Sequence, residues 1–173
     1  TLNGKDTVST HLKVSEHTPQ ILLDLGLSDK PLLITSLHTK TALGKKVRRR
    51  NTHYISKEVF ENLPQLIENP AIVIESTKQG SIVLFVNAGD INKNPVICSI
   101  KADGKGFYNT VEIDANIVTS VYGKDSNLVG FLEKAVNENR LLFWDKKMSQ
   151  TLFNIPGLQL PDNINKLDSN VII

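Results

Sequence analysis

Hydrophobic and polar positions divide this chain into three stretches. Residues 1–17 are polar and without periodicity, which predicts a linker or loose arm. "TPQILLDLG" then reads as a short helix, with Thr18 as N-cap, Pro19 in its first turn and Gly26 at its stop. "PLLITS" is a brief apolar run that fits either a strand or the start of a helix carrying Leu37, Thr41 and Leu43. Over 56–68, Val59, Phe60, Leu63, Leu66 and Ile67 recur at helical spacing. Ser56 can cap that helix, Glu58 suits its positive end, and Pro64 should break or restart it.

After Asn69-Pro70 the period changes. "AIVIES", "SIVLFVN", "PVICSIK" and "YNTVEIDANIVTSVY" are β-branched runs, and Gln-Gly, Asn-Lys-Asn and Asp-Gly-Lys-Gly read as the turns between them. An antiparallel meander is expected. Helical spacing returns through Leu128, Phe131, Leu132, Ala135 and Val136, with Ser126 or Asn127 as cap. "LLFWD" predicts a last strand and "KKMSQTLFN" a short helix, after which the chain trails off. Helices first and strands afterwards give an α+β class, a helical layer against an antiparallel sheet. The expected organisation is an arm over 1–17, one domain over 18–161 and a tail over 162–173.

Composition changes this picture little. The chain has 173 residues, enough for a core without staples, and 40% of them are hydrophobic. Cys98 is the single cysteine, so no internal disulfide or thiolate metal site can form, and its apolar run makes it a structural residue. No apolar stretch approaches the roughly 20 residues that cross a bilayer. No signal pattern opens the chain, and its first residue is Thr rather than Met, which predicts a piece of a longer or processed protein.

Charge changes it more. The net charge is +2, but residues 40–57 hold Lys40, Lys45, Lys46, Arg48, Arg49, Arg50 and Lys57 with no Asp or Glu. Thirteen basic residues then stand against eighteen acidic ones elsewhere. One basic stretch on a mildly acidic protein suits an anionic partner met at one place, although a solvated face has the same composition. No His-Glu-x-x-His pattern, EF-hand loop or carboxylate cluster near a histidine occurs, so no metal and no other cofactor is expected. The glycine stretches "ADGKG" and "GKGFYN" read as hairpin turns rather than phosphate loops.

Four histidines remain. His11 and His17 belong to the polar arm and carry no assigned role, and a lone His38 on a helix face is most simply structural. His53 closes the basic stretch. Neighbouring Lys and Arg disfavour its cation and leave it able to accept a proton. Metal-free RNA cleavage needs that combination: a group to take the 2′-hydroxyl proton, and cations beside the phosphate where charge builds. "TSVYG" could complete such a site, because Thr119, Ser120 and Tyr122 can reach a phosphate or stack on a base. A strand that merely ends in polar residues is the alternative.

The ordered set "TPQILLDLGL", "PLLITSLHTK", "HYISKEVFENLPQLIENPAIVIES", "SIVLFVN", "NPVICSIK", "VTSVYGKD", "LLFWDKK" and "GLQLP" resembles the MuF-type C-terminal domain of phage and mobile-element polyproteins. That family also supplies polymorphic bacterial toxins and is grouped with the barnase–EndoU–colicin–RelE ribonucleases. The resemblance implies N-terminal helices packed on an antiparallel four- to five-stranded sheet, and a metal-independent endoribonuclease toxin that needs no cofactor. It places catalysis on Lys40 and His53, and its strand element falls on Ser120, Val121, Tyr122, Gly123 and Lys124, of which Ser120 and Tyr122 would be catalytic. Thr119 would join these, with Arg48, Arg49, Arg50, Lys46 and His38 binding substrate. It further implies an RNA substrate such as tRNA, a cognate acidic immunity protein and a monomer. Export would occur within a larger protein, for action in the cytoplasm of a target bacterium. The rival expectation is a non-catalytic nucleic-acid-binding or packaging-associated module of the same fold.

Overall fold

The computed structural model describes residues 11–44, 54–108, 111–124, 127–153, 160–165, 167 and 171–172. In chain order its elements are β1 (His11–Ser15), α1 (Gln20–Asp24), β2 (Leu32–Thr35), α2 (Ser36–Ala42), α3 (Lys57–Glu61) and α4 (Leu63–Glu68). Then come β3 (Ile72–Glu75), β4 (Ser81–Gly89), β5 (Pro95–Tyr108) and β6 (Val111–Gly123). The chain ends with α5 (Leu128–Asn137), β7 (Leu141–Trp144), α6 (Lys146–Leu152), α7 (Asp162–Asn165) and β8 (Val171–Ile172).

The strands form one sheet in the order β1-β2-β6-β5-β4-β3-β7-β8. It is a seven-stranded mixed sheet with the two-residue β8 added at one edge, not the expected antiparallel sheet of four to five strands. The meander β3–β4–β5–β6 is antiparallel as its turns suggest, but β2 lies parallel to β6, pairing Leu32, Leu33 and Ile34 with Asn116, Ile117 and Val118. Nor do the helices form a single layer. Alternate residues of a strand face opposite sides. Ile82, Leu84 and Val86 enter a core with Leu22, Ala42, Leu63 and Ile67, from α1, α2 and α4. Val83 and Phe85 enter a second core with Leu128, Leu132, Phe153 and Ile164, from the C-terminal part of the chain. Both faces of the central strands therefore need apolar cover, which is why their sequences are continuous apolar runs rather than alternating ones.

Several local expectations are also corrected. Residues 11–15, read as part of an arm, form β1, antiparallel to β2. The stretch 102–106 is not a hairpin turn. It lies inside the 14-residue β5, whose pairing with β6 shifts register between Lys101 and Gly104. Asp103 takes φ +56° there, and its amide donates to Oδ1 of the fully buried Asn116 at 3.0 Å. The glycines serve close approach: a Cβ on Gly106 would stand 2.8 Å from Leu33 Cδ1. The hairpin end thereby folds over Leu33, Ala115 and Ile117, a third small core.

Thr18 does not cap α1 with its side chain. It is buried, and its hydroxyl accepts from Asn116 Nδ2 at 2.8 Å and pairs with the Lys30 carbonyl at 2.8 Å. Ser56 does cap α3, accepting from the Val59 amide at 3.1 Å, and Pro64 restarts the helix as α4.

A pocket at the end of two parallel strands

Strand β6 runs on past its parallel neighbour. The β2–β6 pairing ends at Ile34 and Val118, whereas β6 continues to Gly123. Beside that extension β2 turns directly into α2. Thr35, extended at φ −71° and ψ 152°, is the N-cap, and its Oγ1 accepts from the His38 amide at 3.0 Å. The same hydroxyl oxygen lies 2.8 Å from His38 Nδ1, so one side chain both starts the helix and fixes the imidazole. Either neutral tautomer satisfies that pair. With Nδ1 protonated the ring donates to the hydroxyl and Nε2 is left as an acceptor.

A pocket of about 210 Å³ lies between α2 and the extension of β6. The helix contributes His38, Thr41 and Ala42, which share one face at i, i+3 and i+4. The strand contributes Thr119, Ser120, Val121 and Tyr122, and Tyr54 adds a further part of the wall. A register shift brings both Thr119 and Ser120 to this place, since Ser99 pairs with Ser120 while Ile100 pairs with Val118. Tyr54 is seated by Gly44, where a Cβ would meet its Cγ at 2.7 Å and where φ is +71°. The Ile55 amide donates to the Ala42 carbonyl at 2.8 Å, so the chain returns to α2 close to where it left.

The pocket alters the acid–base character of two groups. Burial, and secondarily the charge of His11, hold the His38 imidazole below its ordinary pKa and favour the neutral ring. Burial pushes the Tyr122 phenol above its ordinary range, which keeps it protonated. Among the described residues no three His, Cys, Asp or Glu side chains stand together as a metal site, and no helix is long and apolar enough to cross a membrane.

Of the residues singled out in the sequence, the fold brings His38, Thr119, Ser120 and Tyr122 to one cavity. Lys40 is exposed and not among the lining residues; two positions from His38, it lies about 200° further round the helix. His53, Lys46, Arg48, Arg49 and Arg50 lie outside the described residues, but Gly44 and Tyr54, which bound that stretch, are in mutual contact at the pocket. Sequence reasoning did not select Tyr54 or Thr41 for the site. Thr35 carried a legible signal, a threonine directly before a helical stretch.

The domain is thus a mixed α/β domain with an imidazole, hydroxyl and phenol pocket beside the carboxyl end of a parallel strand. Residues 44–151, more than half of the chain, match the model of the phage MuF C-terminal domain, and the chain belongs to that family. The match carries the phage MuF part of the resemblance and does not extend to the barnase–EndoU–colicin–RelE grouping. No curated protein and no solved structure matched.

Proposed function

We propose that this pocket is the centre of a metal-independent RNA-cleaving site. One observation carries the reading: His38, held by Thr35 and biased toward its neutral form, shares a cavity with Thr119 and Ser120 at the point where the basic stretch departs and returns. Neutral His38 accepts the proton of a 2′-hydroxyl through Nε2. The O2′–phosphorus bond forms as the phosphorus–O5′ bond breaks, leaving a 2′,3′-cyclic phosphate, and the 5′-oxygen takes a proton from solvent water at the open rim. Thr119, whose Oγ1 donates to the Ser99 carbonyl at 3.3 Å, and Ser120 hold the substrate unit that enters the cavity. Lys46, Arg48, Arg49 and Arg50, on the basic stretch between Gly44 and Tyr54, are the candidates to balance the charge that builds on the non-bridging oxygens, and one well-placed donor contributes about 3 kcal/mol. Within this reading the domain acts as a toxin carried by a larger protein into a target bacterium, and an acidic partner over residues 40–57 silences it.

Membership of the phage MuF C-terminal domain family favours a second reading, a phage-associated nucleic-acid-binding module without chemistry. One experiment separates the two. The purified domain is incubated with total RNA in EDTA, and product ends are mapped for the wild type and for His38→Gln. Cyclic phosphate ends that disappear in His38→Gln support cleavage at this pocket. Binding with intact RNA in both samples selects the module instead.

A further inference from the structure

The lining of the pocket says which part of an RNA it holds. Among the described lining residues there is no lysine, no arginine and no carboxylate. Its broad surfaces are apolar: the Ala42 methyl, Val121 and the rings of Tyr54 and Tyr122. The Ser120 hydroxyl, the His38 imidazole and the acceptor oxygens of Thr41 and Thr119, whose hydroxyls donate to the Leu37 and Ser99 carbonyls, supply a few hydrogen-bonding groups among them. A flat ligand with apolar faces and a polar edge matches that distribution. At about 210 Å³ the pocket is smaller than the roughly 300–1,000 Å³ typical of drug-sized sites, so it takes one such unit and not a dinucleotide.

Tyr54 supplies a preformed wall. Its ring rests against Gly44, the Ile55 amide ties the next residue to Ala42, and its carbonyl accepts from the Ile91 amide at 3.3 Å. Tyr122, on the strand, is 38% exposed and presents ring surface to a ligand. Little ordering cost therefore remains when a ring stacks there.

We infer that the pocket is a subsite for a single unpaired nucleobase stacked on Tyr54, which makes the substrate single-stranded RNA and places the scissile phosphate at the rim beside His38. The inference rests on the ribonuclease reading for its substrate but not for its binding test. A paired base in a duplex cannot present its face to these rings. Stacking of one base on one aromatic is worth roughly 5- to 150-fold in affinity by truncation, which fixes the expected size of the effect.

The test uses the whole chain and two kinds of probe: the four ribonucleoside monophosphates, and a short RNA with a single normal base or an abasic residue at the cleavage position. Binding is followed by calorimetry with 2′-deoxy-substituted oligonucleotides that cannot be cut. Tyr54→Leu should weaken monophosphate and oligonucleotide binding by roughly 5- to 150-fold, Tyr54→Phe should restore it, and the abasic oligonucleotide should bind the wild type as weakly as the normal one binds Tyr54→Leu. If Tyr54→Leu does not fold, Tyr122→Leu, at an exposed ring, takes its place with the same expected direction. Equal binding and cleavage of the abasic RNA would overturn the base subsite while leaving ribonuclease activity standing. Base-dependent binding by a protein that never cuts RNA would do the reverse.

Discussion

Replacing Thr35 by Val removes one hydroxyl with almost no change in shape, and the structure gives that hydroxyl two tasks. It accepts from the His38 amide as the N-cap of α2, at 3.0 Å, and it holds His38 Nδ1 at 2.8 Å. Loss of the cap costs about 1 kcal/mol. Loss of the second hydrogen bond, in a half-buried place, costs about another 1 kcal/mol. For a chain of this size, about 2 kcal/mol lowers Tm by about 4–8 °C. The chemical consequence is separate. His38 keeps its place on the helix but loses the partner that orients its ring, so kcat should fall by about 10- to 100-fold with KM little changed. Thr35→Ser keeps the hydroxyl and should restore both quantities. Calorimetry together with cleavage of a fluorescent single-stranded RNA provides the readout. A Tm that drops as stated while kcat is unaltered would show that the anchored imidazole takes no part in the reaction, and the proposed role of His38 would have to be given up.

Other expectations follow from the same geometry. Because burial and His11 lower the His38 pKa, cleavage should fall as pH drops through a value below 6.5; an acidic limb centred above 6.5 in a pH–kcat profile would contradict a neutral, buried base. The sign for stability is the same, since the unfolded ring binds its proton more readily: this contribution is complete above the unfolded pKa and is lost as pH falls toward the lowered folded one. Asn116→Ala removes hydrogen bonds to Thr18, Ser28 and the Asp103 amide inside the core, which should cost about 3 kcal/mol and lower Tm by about 6–12 °C; a change under 2 °C would mean these bonds contribute little. Changing Arg48, Arg49 and Arg50 together to Ala should weaken single-stranded RNA binding and lower the slope of log K against log salt by up to about 2, and an unchanged slope would assign these arginines to solvent.

The sequence by itself determined the elements whose signals are local. The Ser56 cap, the break at Pro64, the antiparallel pairing of β3 to β6 and the apolar face of α5 were all legible, because caps, turns and side-chain period act within a few residues. Single-residue chemistry was legible too in the lone apolar Cys98, whose thiol burial pushes up to about 12. What only the tertiary structure decided is how distant pieces meet. Nothing in "LLIT" says that it pairs parallel to "NIV", some eighty residues away, since a four-residue apolar run suits several partners equally. The glycines of "ADGKG" read as a turn because glycine permits one. They lie instead within a strand, because Asn116 holds the Asp103 register shift and the hairpin end needs the space above Leu33. The candidate site shows the same division. Thr119, Ser120 and Tyr122 stood out as polar groups on a strand end, but the pairing of that strand with β2 sets α2 beside them. That placement makes His38, otherwise a lone histidine on a short helix, a member of the same pocket.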